Sequence, residues 1–370
     1  MIATPGPPNV ETLTVDAGPA NSVNTTFVSI KICLPGTSTC STIDHIEVDT
    51  GSTGLRILAG APGGMALPPE KDGAGNPMAE CLQFADGYTW GSLGLADITL
   101  PVSMETASNV HVHVIGDPAY PKPSTCTGVG QLENTVALFG ANGILGVGPF
   151  AQDCGSACVG ATTPLTVYYS CPSPSTCAAA NEGLTLQVQN PVTLFTTDNN
   201  GVIVELPAVG SAGSTPVSGS LVFGIGTRTN NALGTATVLL ADVNTGFITG
   251  TYKGTAYVDG YLDSGSNGNF FTDTLTQCTT ATGFYCPAST MSESATLKGA
   301  GAATLTAAFS VANAETLFAT ASYTAFSNLG GSISDPKGFD LGLSFFYGHN
   351  VFTAIENANT SGGIGPYFAY

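Results

Sequence analysis

Two tetrapeptides, Asp49-Thr50-Gly51-Ser52 and Asp263-Ser264-Gly265-Ser266, each follow a β-like run, and Asp-[Ser/Thr]-Gly occurs nowhere else in the chain. One such triplet is an ordinary turn former, because Asp and Gly both suit tight backbone reversals. Two copies in a chain of 370 residues imply duplication. That length exceeds the usual size of one hydrophobic core, so two lobes are expected, one around each motif.

The rest of the chain reads as all-β. Short runs rich in Val, Thr, Ile and Phe, such as "TTFVSIKICL", "ADITLPV", "NVHVHVIG", "NGVIVELPAV" and "TATVLLADV", alternate with Gly, Pro and Asn turns. Helical spacing is confined to "ETLFATASYTAFSNL" (315–329), with a turn or two in "TPLTVYYS" (163–170). The small, polar "AVGSAGSTPVSGS" (208–220) reads as a surface loop or linker, or as a hairpin tip.

Charge limits the partners. Lys and Arg total 8 against 26 Asp and Glu, and charged residues make up 9% of the chain, against ~25% in typical soluble domains. Nucleic acid is excluded as a partner, since phosphate binding needs clustered Lys and Arg. Although 43% of residues are apolar, no apolar run reaches the ~18 residues of a membrane-spanning helix. The opening "MIATPGPPNVETL" has no basic or apolar leader pattern, so any export signal is expected to have been removed or to lie outside this sequence. Ten cysteines point to an oxidising compartment, secreted or periplasmic. Cys33 with Cys40, Cys154 with Cys158, Cys171 with Cys177 and Cys278 with Cys286 are close pairs, and elimination leaves Cys81 with Cys126.

Each Asp motif is followed by an apolar-Gly strand, "NGILGVG" (142–148) and "FDLGLSFF" (339–346). With "CLQFADGYTWGSLGLADITL" (81–100) between the first pair, "GSLVFGIG", and the closing "GLSFFYGHNVFTAIENANTSGGIGPYFAY", the chain resembles the pepsin-like aspartic proteases over almost its whole length. The resemblance implies a bilobal all-β fold with few short helices. Two lobes, residues 1–190 and 191–370, would be related by a pseudo-twofold, with the active-site cleft between them. It also implies a monomeric, exported aspartic endopeptidase acting on peptides or unfolded proteins at acid pH, without metal or cofactor. A catalytically weak or inactive binding or inhibitor-like protein of the same fold is the alternative.

In such a cleft Asp49 and Asp263 would share one proton, because two adjacent carboxylates resist joint ionisation. One would take a proton from a bound water while the other donates to the scissile carbonyl. Gly51 and Gly265 would let the backbone turn tightly and approach the carboxylates. By resemblance, Thr50 and Ser264 would cross-link the two loops, and Ser52 and Ser266 would bond the outer carboxylate oxygens. The resemblance also assigns residues 81–100 to a flap over the substrate. Phe84 stands where the family has a Tyr, and Arg56 where it has the Trp that receives the Tyr hydroxyl. Asp86-Gly87 reads as the hairpin tip, with the positive φ angles of a tight turn. Tyr88 and Trp90 would supply an aromatic lid, and Arg56 would stack on Phe84 or Trp90 or pair with Asp86.

Asp340 stands where an apolar residue is usual, either on the exposed side of its strand or perturbing the dyad. His111 and His113 share one face of a strand, read as solvated rather than metal-binding. Asn24 and Asn359 fit the glycosylation sequon.

Overall fold

Alternation sets the outer strands and continuous apolar character the inner ones. Strand Met291–Lys298 pairs antiparallel with Thr304–Val311, and buried residues alternate with exposed ones along both, as a sheet with one wet face requires. Strand Thr53–Leu58 is buried at every position, which marks an element covered on both faces. The computed structural model of the chain describes residues 2–370. Met1, the first residue of the expected N-terminal lobe, lies outside the described residues.

A sixteen-stranded sheet starts at the hairpin of Met78–Gln83 and Gly87–Thr99 and the short strands beside it. It continues through Thr106–Ile115, Thr53–Leu58, Gly143–Val147, Cys40–Asp49, Thr26–Cys33 and Val10–Val15. It then crosses to strands from the second half of the chain, first Val217–Phe223 and then Gly201–Glu205. A separate seven-stranded sheet holds the second Asp motif. The architecture is all-β and two-lobed, with three α-helices of four or five residues among the described residues.

The two halves repeat one local arrangement. Cys40–Asp49 runs parallel to Gly143–Val147, which pairs antiparallel with Thr53–Leu58, the strand leaving the first Asp loop. Thr255–Leu262 runs parallel to Gly338–Leu341, which pairs antiparallel with Asn269–Phe270, the strand leaving the second. Each Asp therefore sits at the end of a central strand, clamped by the strand that follows its own loop.

Several local expectations give way to tertiary packing. The helix expected over 315–329 is limited to Ala314–Phe318, capped by Asn313, whose side chain accepts from the Thr316 N–H. In "TPLTVYYS", Tyr168–Ser170 is a strand paired with Met78–Glu80 rather than a helical turn. Of the readings for 208–220 the hairpin tip holds: the stretch joins Gly201–Glu205 to its antiparallel partner Val217–Phe223, and its last residues open that second strand, zipped to Val10–Val15. The Asn24 sequon is inaccessible: the residue is fully buried, its amide donates to the Asn267 and Phe326 carbonyls, and its Oδ1 accepts from the Phe326 N–H. Asn359 is exposed.

Five disulfides close, Cys33–Cys40, Cys81–Cys126, Cys154–Cys158, Cys171–Cys177 and Cys278–Cys286, leaving no free thiol among the described residues. Four are local, and Cys81–Cys126 spans 45 residues to hold the hairpin strand. No helix of the described residues is long and apolar enough to cross a membrane.

Candidate active site

The two Asp loops meet face to face. The Thr50 N–H donates to Ser264 Oγ at 3.1 Å, and the Ser264 N–H donates to Thr50 Oγ1 at 2.9 Å. Each hydroxyl then donates to the main chain just before the opposite Asp, Ser264 to the Val48 carbonyl at 2.7 Å and Thr50 to the Leu262 carbonyl at 3.3 Å. Thr50 and Ser264 are both buried, so these four bonds sit away from competing water.

The cradle brings Asp49 and Asp263 face to face, each carboxyl lying against the glycine of the opposite loop. Gly51 N–H donates to Asp49 Oδ1 at 2.6 Å, and Gly265 N–H to Asp263 Oδ1 at 2.8 Å. Neither glycine has a positive φ, so the turn itself does not demand glycine. Clearance does. A Cβ on Gly51 would stand 2.6 Å from Asp263 Cγ, and one on Gly265 2.6 Å from Asp49 Oδ1. Burial, the Asp49 charge and the Asp340 charge hold the Asp263 carboxyl well above the usual carboxylate range.

Beyond the glycines the loops differ. Ser266 Oγ donates to Asp263 Oδ2 at 3.0 Å, whereas the buried Ser52 hydroxyl has no partner, contrary to the symmetric role expected for the two serines. Asp340 is buried at the base of the site rather than on an exposed strand side. Glu47, unremarked in the sequence, lies two residues before Asp49, on the same strand face. Burial and the charges of Asp49, Asp86 and Glu133 push its carboxyl well above the usual range.

The hairpin of 78–99 reverses over Phe84 to Gly87, where the Phe84 N–H donates to the Gly87 carbonyl at 2.7 Å. Asp86 is exposed, and neither it nor Gly87 has a positive φ, so the expected Asp-Gly turn chemistry is absent. Gly87 is needed because a Cβ there would stand 2.3 Å from the Glu133 carboxyl carbon. Gln83, which the sequence reading passed over, organises the tip. Its amide donates to the Gly87 and Val129 carbonyls at 2.8 and 3.0 Å and accepts from the Val129 N–H at 2.7 Å.

Phe84 is half-buried and meets Phe139 edge-on at 6.0 Å. Tyr88 is half-buried, with Lys122 Nζ 5.6 Å from its ring centre. Trp90 is no lid: it is buried against Tyr169 at 5.1 Å, and its indole N–H donates to the Tyr120 carbonyl at 2.7 Å.

Arg56 corrects the account of the flap. It neither stacks on Phe84 or Trp90 nor pairs with Asp86. It is fully buried, with Nη2 3.0 Å from Glu80 and 2.8 Å from Asp153, and a further bond to the Thr53 carbonyl. The reason is its strand: every position of Thr53–Leu58 is enclosed, so the guanidinium has to find its anions inside the lobe. Glu80 lies on the first hairpin strand, so Arg56 does tie hairpin to body, but at the base rather than the tip.

His113 belongs to the same cluster, fully buried with Nδ1 2.7 Å from Glu80, and His111 has Nδ1 2.6 Å from Glu70. Neither faces open solvent. Tyr168 completes the cluster by donating to Asp153 Oδ1 at 2.5 Å and accepting from the Val188 N–H.

Among solved structures, the chain is similar to the crystal structure of an aspartic proteinase from Irpex lacteus. The identity is 16% over 97% of this chain and 96% of that one, with a TM-score of 0.49. A search of curated proteins finds no match. Residues 5–370 match the family model described as protein of unknown function DUF3443, and the chain belongs to that family.

Proposed function

We propose that the protein is an exported aspartic endopeptidase that hydrolyses peptide bonds in extended or unfolded chains, working as a monomer of two lobes, residues 1–190 and 191–370. One observation carries this reading. The reciprocal Thr50–Ser264 cradle holds the buried Asp49 and the half-buried Asp263 carboxyls against each other, with each facing glycine reduced to a bare Cα to make room. Such an arrangement costs stability and serves no packing purpose, which is characteristic of functional sites.

In the proposed reaction the pair shares one proton and titrates as a unit. Asp263 carries that proton, since its burial and two acidic neighbours favour the neutral form. The Asp49 carboxylate takes a proton from the attacking water while Asp263 donates to the scissile carbonyl oxygen, and the two exchange roles as the amine leaves. Gly51 and Gly265 N–H groups keep the inner carboxylate oxygens in place throughout. The five disulfides fit an oxidising compartment.

The test is incubation with an unfolded protein across acid to neutral pH, with and without a statine-type inhibitor. Inhibitor-sensitive cleavage is the expected result, and its absence at every pH overturns the reading. A second reading, a binding protein of the same fold without proteolysis, is favoured by the hairpin tip, where Phe84 offers no hydroxyl and the nearby Trp90 is turned into the core. Inhibitor binding measured by calorimetry without any cleavage supports that reading.

A further inference from the structure

The parallel strand pairs beneath the two Asp loops should be equivalent, and at one position they are not. In the first half Glu47 lies opposite Ile144, and in the second Tyr261 lies opposite Asp340. The counterpart of Asp340 is therefore a buried isoleucine. An apolar side chain fills that position in one lobe, so packing does not call for a carboxyl in the other.

Asp340 is 2% exposed, and its Oδ1 has no hydrogen-bond partner. A buried carboxyl with an orphan oxygen costs stability, and native structures keep such groups mainly where they act. Its surroundings show on what. The Ser266 side chain lies between two carboxyls, donating to Asp263 Oδ2 at 3.0 Å and neighbouring Asp340. A Cβ on Gly342, two residues past Asp340, would stand 2.9 Å from the Ser266 Cβ, so this strand end is pressed onto the second Asp loop.

Tyr261 and Phe270 are the strand partners of Asp340, and the loop groups whose charge or hydrogen bonding bears on its carboxyl or that it acts on are Asp49, Ser266 and Asp263. On its own approach lie Asp335 and the exposed Lys337, and no salt bridge reaches Asp340.

We propose that Asp340 is a third carboxyl of the site, a positioning residue that acts on Asp263 from the strand beneath the second Asp loop and sets the upper pH limit of cleavage. The inference rests on the peptidase reading for its kinetic consequence and on the buried placement of Asp340, on the strand end pressed against the second Asp loop, for the coupling. Once Asp49 and Asp340 are both ionised, two negative charges oppose loss of the Asp263 proton. The singly protonated dyad, the competent form, then survives to higher pH than a site of two carboxyls allows. Burial and the Asp49 charge in turn raise the Asp340 carboxyl well above its ordinary value.

Two measurements test this and fail independently. The first follows the Asp340 side-chain carboxyl carbon by NMR through a pH titration of the full protein, wild type and Asp49→Asn. Removing the Asp49 charge should lower the Asp340 midpoint, by about 1 pH unit, the low end of the effect of a neighbouring charge. An unchanged midpoint overturns the proposal. The second compares pH–rate profiles of kcat/KM for wild type and Asp340→Asn, which keeps shape and hydrogen bonding without the charge. The alkaline limb should move down by about 1 pH unit with the acid limb less affected. A profile that only scales in height makes Asp340 merely structural and overturns the proposal. If the wild type cleaves nothing at any pH, the peptidase reading fails and the titration alone decides Asp340.

Discussion

The two Asp loops copy each other through the Thr50–Ser264 cradle and the glycines, then part company one residue later. Ser266 holds the outer oxygen of Asp263, while Ser52, in the same place relative to Asp49, is buried with no partner. Beneath the first Asp lies Glu47 opposite Ile144, and beneath the second lies Tyr261 opposite Asp340. The symmetric part fixes distance and orientation, which both carboxyls need equally. The asymmetric part gives the second Asp a hydroxyl donor that the first lacks and an acidic neighbour, Asp340, whose charge raises the Asp263 carboxyl.

The largest expected effect tests the symmetric part. Asp49→Asn and Asp263→Asn should each lower kcat/KM on a peptide substrate by at least ~10³-fold, since each removes a general acid–base partner. Thermal unfolding should be unchanged or shifted upward, because a buried carboxyl is lost. A variant that keeps a tenth of wild-type activity would show that only one Asp is needed.

The second comparison sets the buried charges of the first lobe against a surface pair in the second. Arg56→Leu leaves Glu80 and Asp153 without their cation and should cost ~3–5 kcal/mol in urea unfolding. Lys253→Met removes a half-exposed ammonium that pairs with Asp273 and Glu293, and should cost less than ~1 kcal/mol. Equal costs would mean that the Arg56 cluster is hydrated in solution.

Acid stability follows from groups concentrated in the first half. Burial pushes Glu105, Glu133 and Glu182 each up to about 7. Their ordinary value is 4.5, so between 4.5 and about 7 the folded chain holds protons that the unfolded chain releases. Stability from these groups is complete below 4.5 and is lost as pH rises toward 7. Glu80 works in the opposite sense: Arg56 and His113 depress it despite its burial, so its contribution is lost as pH falls below 4.5. The melting temperature should therefore peak in mildly acid solution and fall by pH 7.5, and a flat profile would show these carboxyls to be hydrated.

The smallest effect probes the asymmetry directly. Ser266→Ala should reduce kcat/KM about fivefold, the worth of one hydrogen bond to the neutral Asp263 carboxyl of ~1 kcal/mol, and Ser52→Ala should leave it unchanged. Equal losses in both variants would restore full symmetry.

Much of the site was legible in the sequence because its parts are short and repeated. Two Asp-[Thr/Ser]-Gly-Ser motifs, the apolar-Gly strands after them and the four close cysteine pairs all lie within a few residues, where backbone geometry is local. The hairpin of residues 78–99 was read less well. Its residues were identified, but the turn chemistry and the directions of Trp90 and Arg56 were not, because strand alternation says which side chains share a face without saying what covers that face.

Sequence alone determined the β-rich two-lobed class, the pair of catalytic candidates and the cysteine pairs that close as disulfides. Only the tertiary structure decided that Asn24 is a buried linchpin, that Arg56 and His113 are locked to Glu80, that Ser52 is idle where Ser266 is engaged, and that Asp340 faces the dyad. Each of these depends on which distant segment closes over a side chain. For a charged or polar group that enclosure decides everything, since the cost of burial and the partner that offsets it both come from elsewhere in the chain.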